Sequence, residues 1–280
     1  MSSLVTLSTV SALDFLRAPY ASMSADELSS YFQARTCVRY FPLPHGSPAH
    51  VERADKIVRH EFEFNNEVHR LPETFDWKMN PSRDIEWLIL LHKFYYTKDL
   101  AAAYDYTGED AYARKWVELV SSWIREVPDG FIDSQVTGRR LQQWLLAYHY
   151  FIPGRRSTSM TPPFLVQFVR SIHSQTLYLR EHLTREGNHR TIELYSIFLV
   201  AMVFPELKEA ASLLEFAKQE LLKNIEQDLL EDGVHRELST DYHHTVLKNY
   251  LRVRALAVLN QVALPSRYDE LIHKALEFSI

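Results

Sequence analysis

Glycine is scarce in this sequence, and its positions are informative. The 280-residue chain contains only 7 glycines, whereas average usage would supply about 20. β-Sandwiches and Gly-rich nucleotide-binding folds need many residues at positive φ, so the shortage argues against both. The glycines fall between long stretches of apolar periodicity, which predicts that they separate helices: Gly46, Gly108, Gly130, Gly138, Gly154, Gly187 and Gly233.

Helical periodicity covers most of the chain after residue 84. The spacing predicts about eight helices of roughly 14–24 residues joined by short loops. Ser24 and Glu27 form a capping-box pattern that predicts a further short helix, after an extended or weakly ordered lead over residues 1–23. The predicted longer helices span residues 84–106, 109–126, 139–152, 162–185, 189–203, 205–230 and 239–261, with a last one from Pro265.

The only predicted β-structure lies near residues 60–71. Phe62 and Phe64 alternate with charged residues, and Asn65-Asn66 can form the turn of a hairpin. The predicted fold is therefore all-α with one small β-hairpin. A ring of antiparallel helix hairpins, an incomplete α/α toroid, is favoured over a solenoid because no strict repeat is visible.

Two regions are predicted within this arrangement. Residues 1–74 form the lead, the short helix and the hairpin, which pack on a toroid domain of residues 75–280. A toroid places its ligand cleft at one end of the ring, lined by residues in loops and at helix starts. Polar side chains at helix N-termini are therefore the first candidates for function.

Charge and composition exclude several classes of function. The 31 Lys and Arg against 36 Asp and Glu leave a net charge of −5, so no global positive field exists to hold nucleic acid or an anionic membrane. A polyanionic ligand therefore needs a local basic cleft. The sequence shows no apolar run of transmembrane length and no signal peptide, which predicts a cytoplasmic location. The oligomeric state is not indicated.

Metal and cofactor signals are also missing. The single Cys37 excludes an intrachain disulfide framework and a Cys-rich metal site. The 13 histidines are scattered, and no HExxH, P-loop, GxGxxG or GxSxG motif occurs. The sequence therefore predicts no metal and no cofactor in this chain.

The strongest polar cluster is REGNHRTIELY at residues 185–195. Asn188, His189 and Arg190 follow a glycine and open an apolar helix, where the helix dipole favours an anion. The alternative is that Asn188 serves only as the N-cap and its neighbours are solvated.

A second cluster is DGVHRELSTDYHHTVLKNYL at residues 232–251. Ser239 is predicted to cap a helix whose first turn carries Tyr242 and His243. The alternative is that Tyr242 is a core residue with its hydroxyl at the rim. Glu237 is expected to pair with a neighbouring side chain or to form a salt bridge.

A third candidate is the pair Arg139 and Arg140, which follow a glycine at a predicted helix start. Arginine binds planar carboxylates and sulfates through bidentate hydrogen bonds. Adjacent residues do not share a helix face, so at most one of the two points into a cleft; the alternative is a solvated charge pair. Several aromatic residues are candidates for stacking on sugars, although most such residues are core: Trp77, Trp87, Tyr95, Tyr96 and Trp144.

The first two clusters together resemble a known family. GNHRTIELYSIFLVAMVFPEL and the later DGVHRELSTDYHHTVLKNYL are similar to the helical domain of the heparinase II/III-like polysaccharide lyases. The upstream DIEWLILLHKFYYTKDLAAAYDYTGEDAYARKWVELVSSWI resembles the N-terminal portion of that domain, so the similarity covers roughly residues 75–262. The resemblance implies β-elimination on an acidic polysaccharide that contains uronic acid.

The resemblance also implies roles for individual residues. Asn188 would neutralise the C5 carboxylate of the uronate, and Tyr242 would protonate the departing oxygen and, in a syn elimination, also act as base. His189 would either polarise the carboxylate or act as the base. Members of the family differ in the role of this histidine. The implied substrate-binding residues are Arg139 or Arg140, Arg190, His92, Glu237 and His243.

One departure from the family pattern is expected to matter. These lyases carry a β-sandwich domain after the toroid, which contributes cleft residues, including a catalytic histidine in some members, and often a metal site. This chain stops at Ile280 inside a predicted helix. It is therefore predicted to be an N-terminal piece or a shortened relative, with any metal in the missing domain.

Two other functions stay open at this point. A glycoside hydrolase on an α/α barrel would need two cleft carboxylates about 5–10 Å apart, and the nearest candidates are Asp232, Glu237 and Asp241. A non-catalytic domain that binds acidic carbohydrate is the third possibility.

Overall fold

The computed structural model describes residues 13–154 and 157–279. In this part of the chain the only strands are β1 (Glu61–Phe64) and β2 (Glu67–Arg70), and eleven α-helices and one short 3-10 helix (Tyr20–Ser22) form the rest of the regular structure. The helices are α1 (Ala25–Ala34), α2 (Pro48–Val58), α3 (Ile85–Lys93), α4 (Thr97–Thr107), α5 (Asp110–Glu126), α6 (Ser134–Phe151), α7 (Pro162–Glu181), α8 (Gly187–Val203), α9 (Ala210–Asp228), α10 (Thr240–Leu259) and α11 (Ser266–Phe278).

The helices form two layers. Helices α2, α4, α6, α8 and α10 pack successively side by side as an inner layer, and α5, α7, α9 and α11 lie behind them as an outer layer. Each outer helix returns the chain to the end of the ring from which the next inner helix starts. This arrangement of helix hairpins confirms the predicted all-α fold, an α/α toroid with one small β-hairpin.

Helix α8 lies between α6 and α10 in the inner layer, with α7 and α9 behind it. Residues 191–203 are all buried and most of them are apolar, as expected for a helix surrounded by other helices. Helix α8 crosses α6 closely at Gly138, where an added Cβ would lie 3.1 Å from Ser196 Oγ. The prediction that Gly138 lies outside a helix, just before one that starts at residue 139, is therefore wrong. Helix α6 already begins at Ser134, where the Asp133 side chain caps the Val136 amide.

The predicted helix over 84–106 is interrupted. Helix α3 ends at Lys93, and Phe94 adopts a left-handed φ of 60° before α4 begins at Thr97. The Phe94 ring is fully buried, stacked on Trp77 and edge-on to Trp144. Burial of this ring offsets a backbone conformation that costs a non-glycine residue about 1–2 kcal/mol, which explains the break.

Three further features differ from the prediction. Helix α2 was not predicted, and α9 begins at Ala210 rather than at Pro205. Residues 13–23 are not weakly ordered, because Phe15 and Leu16 are buried and Leu16 pairs with Leu207. Residues 1–12 of the predicted lead lie outside the described residues. The capping box at the start of α1 is confirmed.

The β-hairpin is confirmed, with Phe62 opposite His69 and Phe64 opposite Glu67. Asn65 and Asn66 have φ values of 49° and 63°, the left-handed turn that this dipeptide favours. Helix α2 packs on α4 and α5, so residues before the predicted boundary at 74 share the toroid core, and that boundary stays a prediction. Among the described helices, none is both long and apolar enough to cross a membrane.

Candidate active site

A cleft of about 660 Å³ opens on the inner layer of the toroid. Its walls come from α4, α6, α8 and α10, from Tyr95, and from the segment of residues 40–44. No outer-layer helix contributes among the described residues. The lining residues are Tyr40, Phe41, Pro42, Leu43, Pro44, Tyr95, Lys98, Arg139, Gln142, Gln143, Leu146, Tyr150, Tyr195, Leu199, Thr245, Lys248, Asn249 and Arg252.

The cleft is strongly positive although the whole chain is negative. Lys98, Arg139, Lys248 and Arg252 line it, and no Asp or Glu does so among the residues that the structure describes. Repulsion from Arg252, followed by burial, lowers the pKa of Lys248. Burial, with a contribution from Arg252, lowers the pKa of Arg139. This is the local basic cleft that an acidic ligand requires.

The start of α8 carries the first predicted cluster. Gly187, at a left-handed φ of 84°, is the first helical residue, so that Asn188 is the second and His189 the third. The N-cap is Glu186, so the structure contradicts the alternative in which Asn188 serves as the N-cap. His189 is exposed, and Asn188 is partly exposed.

Asn188 joins the start of α8 to the loop before α10. Its Nδ2 donates to both carboxylate oxygens of Glu237 at 3.0 and 2.8 Å, and its backbone N–H donates to Oε1 at 2.8 Å. The pairing expected for Glu237 is thus with Asn188. It brings the two predicted clusters together at one end of the ring.

Tyr242 lies in the first turn of α10, where the Ser239 side chain accepts the Tyr242 N–H as predicted. The Tyr242 side chain is 48% exposed, so the alternative of a core tyrosine is wrong. Asn188 precedes the cleft residue Tyr195 by seven positions, and Tyr242 precedes the cleft residue Asn249 by seven. Seven residues are two helical turns, so both lie on cleft-facing stripes. Asn188 lies about 10 Å before the first lining residue of α8, and Tyr242 lies about one turn before the lining residue Thr245 of α10.

The loop before α8 is held by a buried carboxylate that was not predicted. Glu193 accepts hydrogen bonds from Ser134 Oγ and from both the backbone N–H and the hydroxyl of Thr184, at 2.6–2.7 Å. Burial raises the pKa of Glu193 despite these donors. The contacts fasten the starts of α6 and α8 to each other, which fixes the segment that carries Asn188.

Arg190 does not face the cleft. Its guanidinium donates to the Thr184 carbonyl at 2.8 Å and to Glu220 at 2.6 Å. It lines a separate hollow between the start of α8 and α9, together with Lys223 and Arg236. The prediction that Arg190 lines the cleft is therefore wrong. Its guanidinium instead joins the loop before α8 to α9.

His92 and Arg140 are also corrected, because both are fully buried. His92 Nε2 donates to the Trp77 carbonyl at 2.8 Å and its Nδ1 accepts from Trp123 Nε1 at 3.0 Å; burial lowers its pKa to about 3. Arg140 donates to Gln175, Thr137 and the His92 carbonyl, and burial lowers its pKa to about 9.

His243 is buried as well, although it neighbours Tyr242. Its Nε2 lies 3.0 Å from the Ala275 carbonyl and 3.1 Å from Ser279 Oγ, and its Nδ1 accepts the His235 backbone N–H. Burial lowers the pKa of His243. It therefore anchors α11 to α10 and leaves no nitrogen for a substrate.

Several cleft residues were missed from the sequence: Lys98, Lys248, Asn249 and Arg252. A signal for two of them was present. Lys248 and Arg252 are like charges four residues apart on a helix, a destabilising pair unless an anion lies between them. Of the aromatic residues considered for stacking on sugars, only Tyr95 lines the cleft in the described residues, since the Trp side chains are buried.

The carboxylates of the hydrolase alternative do not meet in this cleft. Asp232 accepts the Val234 N–H at 3.1 Å in a turn, and Glu237 binds Asn188. Asp241 is exposed in the first turn of α10. A pair of catalytic carboxylates is thus absent from the described lining, and the hydrolase is not favoured.

Known proteins share sequence similarity with most of this chain. Residues 6–280 match the family described as Heparinase II/III N-terminus. The chain is 30% identical over 215 residues to a heparin-sulfate lyase of Pedobacter heparinus, which covers 72% of this chain and 32% of that protein. A heparin-sulfate lyase of Bacteroides stercoris is 25% identical, with 91% and 43% covered. The chain thus spans less than half the length of these relatives.

A solved structure has the same fold. The crystal structure of heparinase III superposes with a TM-score of 0.86 at 22% identity, over 96% of this chain and 47% of that one. Together with the family match over residues 6–280, the two-layered helical ring assigns the sequence: the chain belongs to the heparinase II/III family, as its N-terminal helical part.

Proposed function

We propose that this chain is the helical part of a polysaccharide lyase that cleaves uronic-acid-containing glycans, of the heparan sulfate type, by β-elimination. The observation that carries the proposal is the basic cleft without lining carboxylates, whose helices lead to Asn188 and Tyr242 at their N-terminal ends. The heparin-sulfate lyases among its relatives support the substrate class.

The reaction needs three operations at one sugar. The C5 proton passes to a base, the bond from C4 to the glycosidic oxygen breaks as the C4–C5 double bond forms, and the departing oxygen receives a proton. Negative charge develops on the C5 carboxylate in the transition state, so a positioned donor there lowers the barrier.

The chain offers a group for each operation. The Asn188 amide supplies the donor to the carboxylate, and the dipole of α8 adds positive potential at that position. The exposed Tyr242 hydroxyl supplies the proton for the departing oxygen. Tyr242 or His189 takes the C5 proton. The cleft cations hold the acidic chain in register.

The test is an elimination assay on the protein, expressed with any sequence that follows residue 280 in its gene. Cleavage of heparan sulfate is expected to generate ultraviolet absorbance from the conjugated unsaturated uronate, and alginate and hyaluronan serve as comparison substrates. Asn188→Ala and Tyr242→Phe are expected to lower turnover by about 10²–10⁴-fold. Tyr106→Phe is the matched control, because Tyr106 is exposed on α4 outside the cleft lining.

Each remaining function has its own outcome. Products with saturated ends and no new absorbance would indicate hydrolysis. Binding without turnover by the extended protein would indicate a non-catalytic domain. Wild-type turnover in both Asn188→Ala and Tyr242→Phe would contradict the assigned roles.

A further inference from the structure

The cations that line the cleft come from α4, α6 and α10, and they have no acidic partner among the described residues. Arg139 Nη1 donates to the neutral Gln142 Oε1 at 3.2 Å. Lys98, Arg139, Lys248 and Arg252 form no ion pair with any described residue. Arg254 on the same helix is paired, since its Nε donates to Asp269 at 2.8 Å. On α10 the cations without an ion pair, Lys248 and Arg252, are thus those that line the cleft.

Asn249 adds a neutral donor to the α10 side of the cleft. Its side chain is 1% exposed, lines the cleft, and has an Nδ2 with no hydrogen-bond partner among the described residues. A buried amide donor without a partner destabilises the protein, because it has lost its hydrogen bonds to water. Lys248 and Arg252 flank it on the same helix, one residue before and three after.

The cleft cations also repel one another. Arg252, Arg139 and Lys98 all disfavour the charged form of Lys248. A bound anion would reduce the repulsion between the cations and would accept the free hydrogen bond of Asn249. The site is therefore more stable with an anion present. Two guanidiniums, an ammonium and an amide suit a group with several oxygens, because Arg bonds oxyanions in bidentate fashion.

We propose that Arg139, Lys248, Asn249 and Arg252 form a subsite for an oxyanion substituent on a sugar, separate from the Asn188–Tyr242 pair. The inference rests on the proposed function for the identity of the sugar chain. The subsite lies about two helical turns from Tyr242 along α10, so it holds a group on another sugar of the bound chain. It positions the glycan and takes no part in proton transfer.

A binding experiment on this chain tests the subsite. Three oligosaccharides of equal length are titrated calorimetrically: a sulfated heparan-type one, an unsulfated hyaluronan-type one, and a neutral cello-oligosaccharide. The two acidic oligosaccharides are expected to bind, and the neutral one is expected not to bind. A preference for the sulfated ligand assigns the subsite to a sulfo group, and equal binding of both acidic ligands assigns it to a uronate carboxylate.

Two substitutions separate ligand binding from a structural role. Arg252→Gln is expected to weaken binding of the acidic oligosaccharide by about tenfold or more. Asn249→Asp places a carboxylate among the cations, so it is expected to weaken binding while raising the urea midpoint of unfolding. Substitution of a residue that only supports the fold would lower both the binding affinity and the urea midpoint. Arg254→Gln is the matched control and is expected to bind as wild type.

The proposal is overturned if Arg252→Gln and Asn249→Asp both bind the acidic ligands with wild-type affinity, or if the neutral ligand binds equally well. Failure of the proposed function gives a different result. In that case the substitutions still weaken binding, Tyr242→Phe still binds, and the elimination assay on the extended protein stays negative.

Discussion

The side-chain amide of Asn188 donates to both carboxylate oxygens of Glu237, at 3.0 and 2.8 Å, and the Asn188 backbone N–H donates to one of them at 2.8 Å. A protein carboxylate therefore contacts the amide to which we assign the uronate carboxylate. The contact orients Asn188 and ties the loop before α10 to the start of α8.

Glu237 is accordingly expected to position Asn188 for turnover. Glu237→Ala should lower kcat by about 10²-fold, because a small misplacement of a catalytic group has costs of that order. Glu237→Gln keeps one oxygen acceptor, so its kcat should fall between wild type and the alanine variant. Elimination kinetics check the order. Glu231→Ala, an exposed carboxylate in the same loop, is the control, and a higher kcat/KM in Glu237→Ala would show instead that Glu237 competes with the substrate.

Gly187, at the start of α8, can be compared with Gly108, which ends α4. Both have left-handed φ values, 84° and 74°, but an added Cβ meets Glu237 Oε1 at 2.8 Å only at Gly187 and nothing within 4 Å at Gly108. Gly108→Ala should therefore cost about 1–2 kcal/mol from backbone strain alone. Gly187→Ala should cost more and also lower turnover, because Glu237 must move. Urea unfolding and elimination assays of the two variants check this, and equal losses at both positions would contradict it.

His92 is expected to make the protein less stable in mild acid. Its Nδ1 accepts from Trp123, which can only donate, so His92 is neutral in the folded state with a pKa of about 3. The unfolded chain binds this proton below about pH 6.5, so the histidine's contribution to stability falls by about 1.4 kcal/mol per pH unit between about 6.5 and 3.

His92→Gln removes the side chain that binds this proton in the unfolded chain. The difference in unfolding free energy between wild type and variant should therefore shrink as the pH falls from 7 to 5. Urea titrations at several pH values measure it, with the exposed His244→Gln as control. A difference that is constant with pH would show that His92 is not held neutral.

The same substitution at Arg139 and at Arg140 should affect different properties. Arg140 is fully buried, with three hydrogen-bond acceptors around it and its guanidinium 3.9 Å from the Trp123 ring centroid. Arg140→Gln should therefore lower stability by about 3 kcal/mol. Arg139→Gln should leave stability within about 0.5 kcal/mol and weaken binding of acidic oligosaccharide. Calorimetry and urea unfolding distinguish the two; a stability loss in Arg139→Gln as large as in Arg140→Gln would contradict the assignment of faces.

The fold was predictable where the chain carries its own boundary signals. Ser239, Thr161-Pro162 and the Ser24–Glu27 capping box mark helix starts through local hydrogen bonds and proline geometry. The break at Phe94 has no such signal, because it depends on burial of the ring between Trp77 and Trp144. Those contacts come from distant parts of the sequence.

The site was predictable in its position more than in its composition. Helix starts identified the Asn188 and Tyr242 clusters, and adjacency showed that at most one of Arg139 and Arg140 points into the cleft. Which one does so depends on Gln175 of α7, a partner that the local sequence does not reveal. His243 was misassigned for the same reason, since its partners lie on and after α11.

The cleft is built from alternate helices only. Its cations come from α4, α6 and α10, and no described residue of α5, α7, α9 or α11 lines it. Substitutions in the outer layer can therefore change how firmly the ring holds together while the charges that face the ligand stay the same. Stability and ligand preference can thus be altered separately in this protein, by choosing residues from one layer or the other.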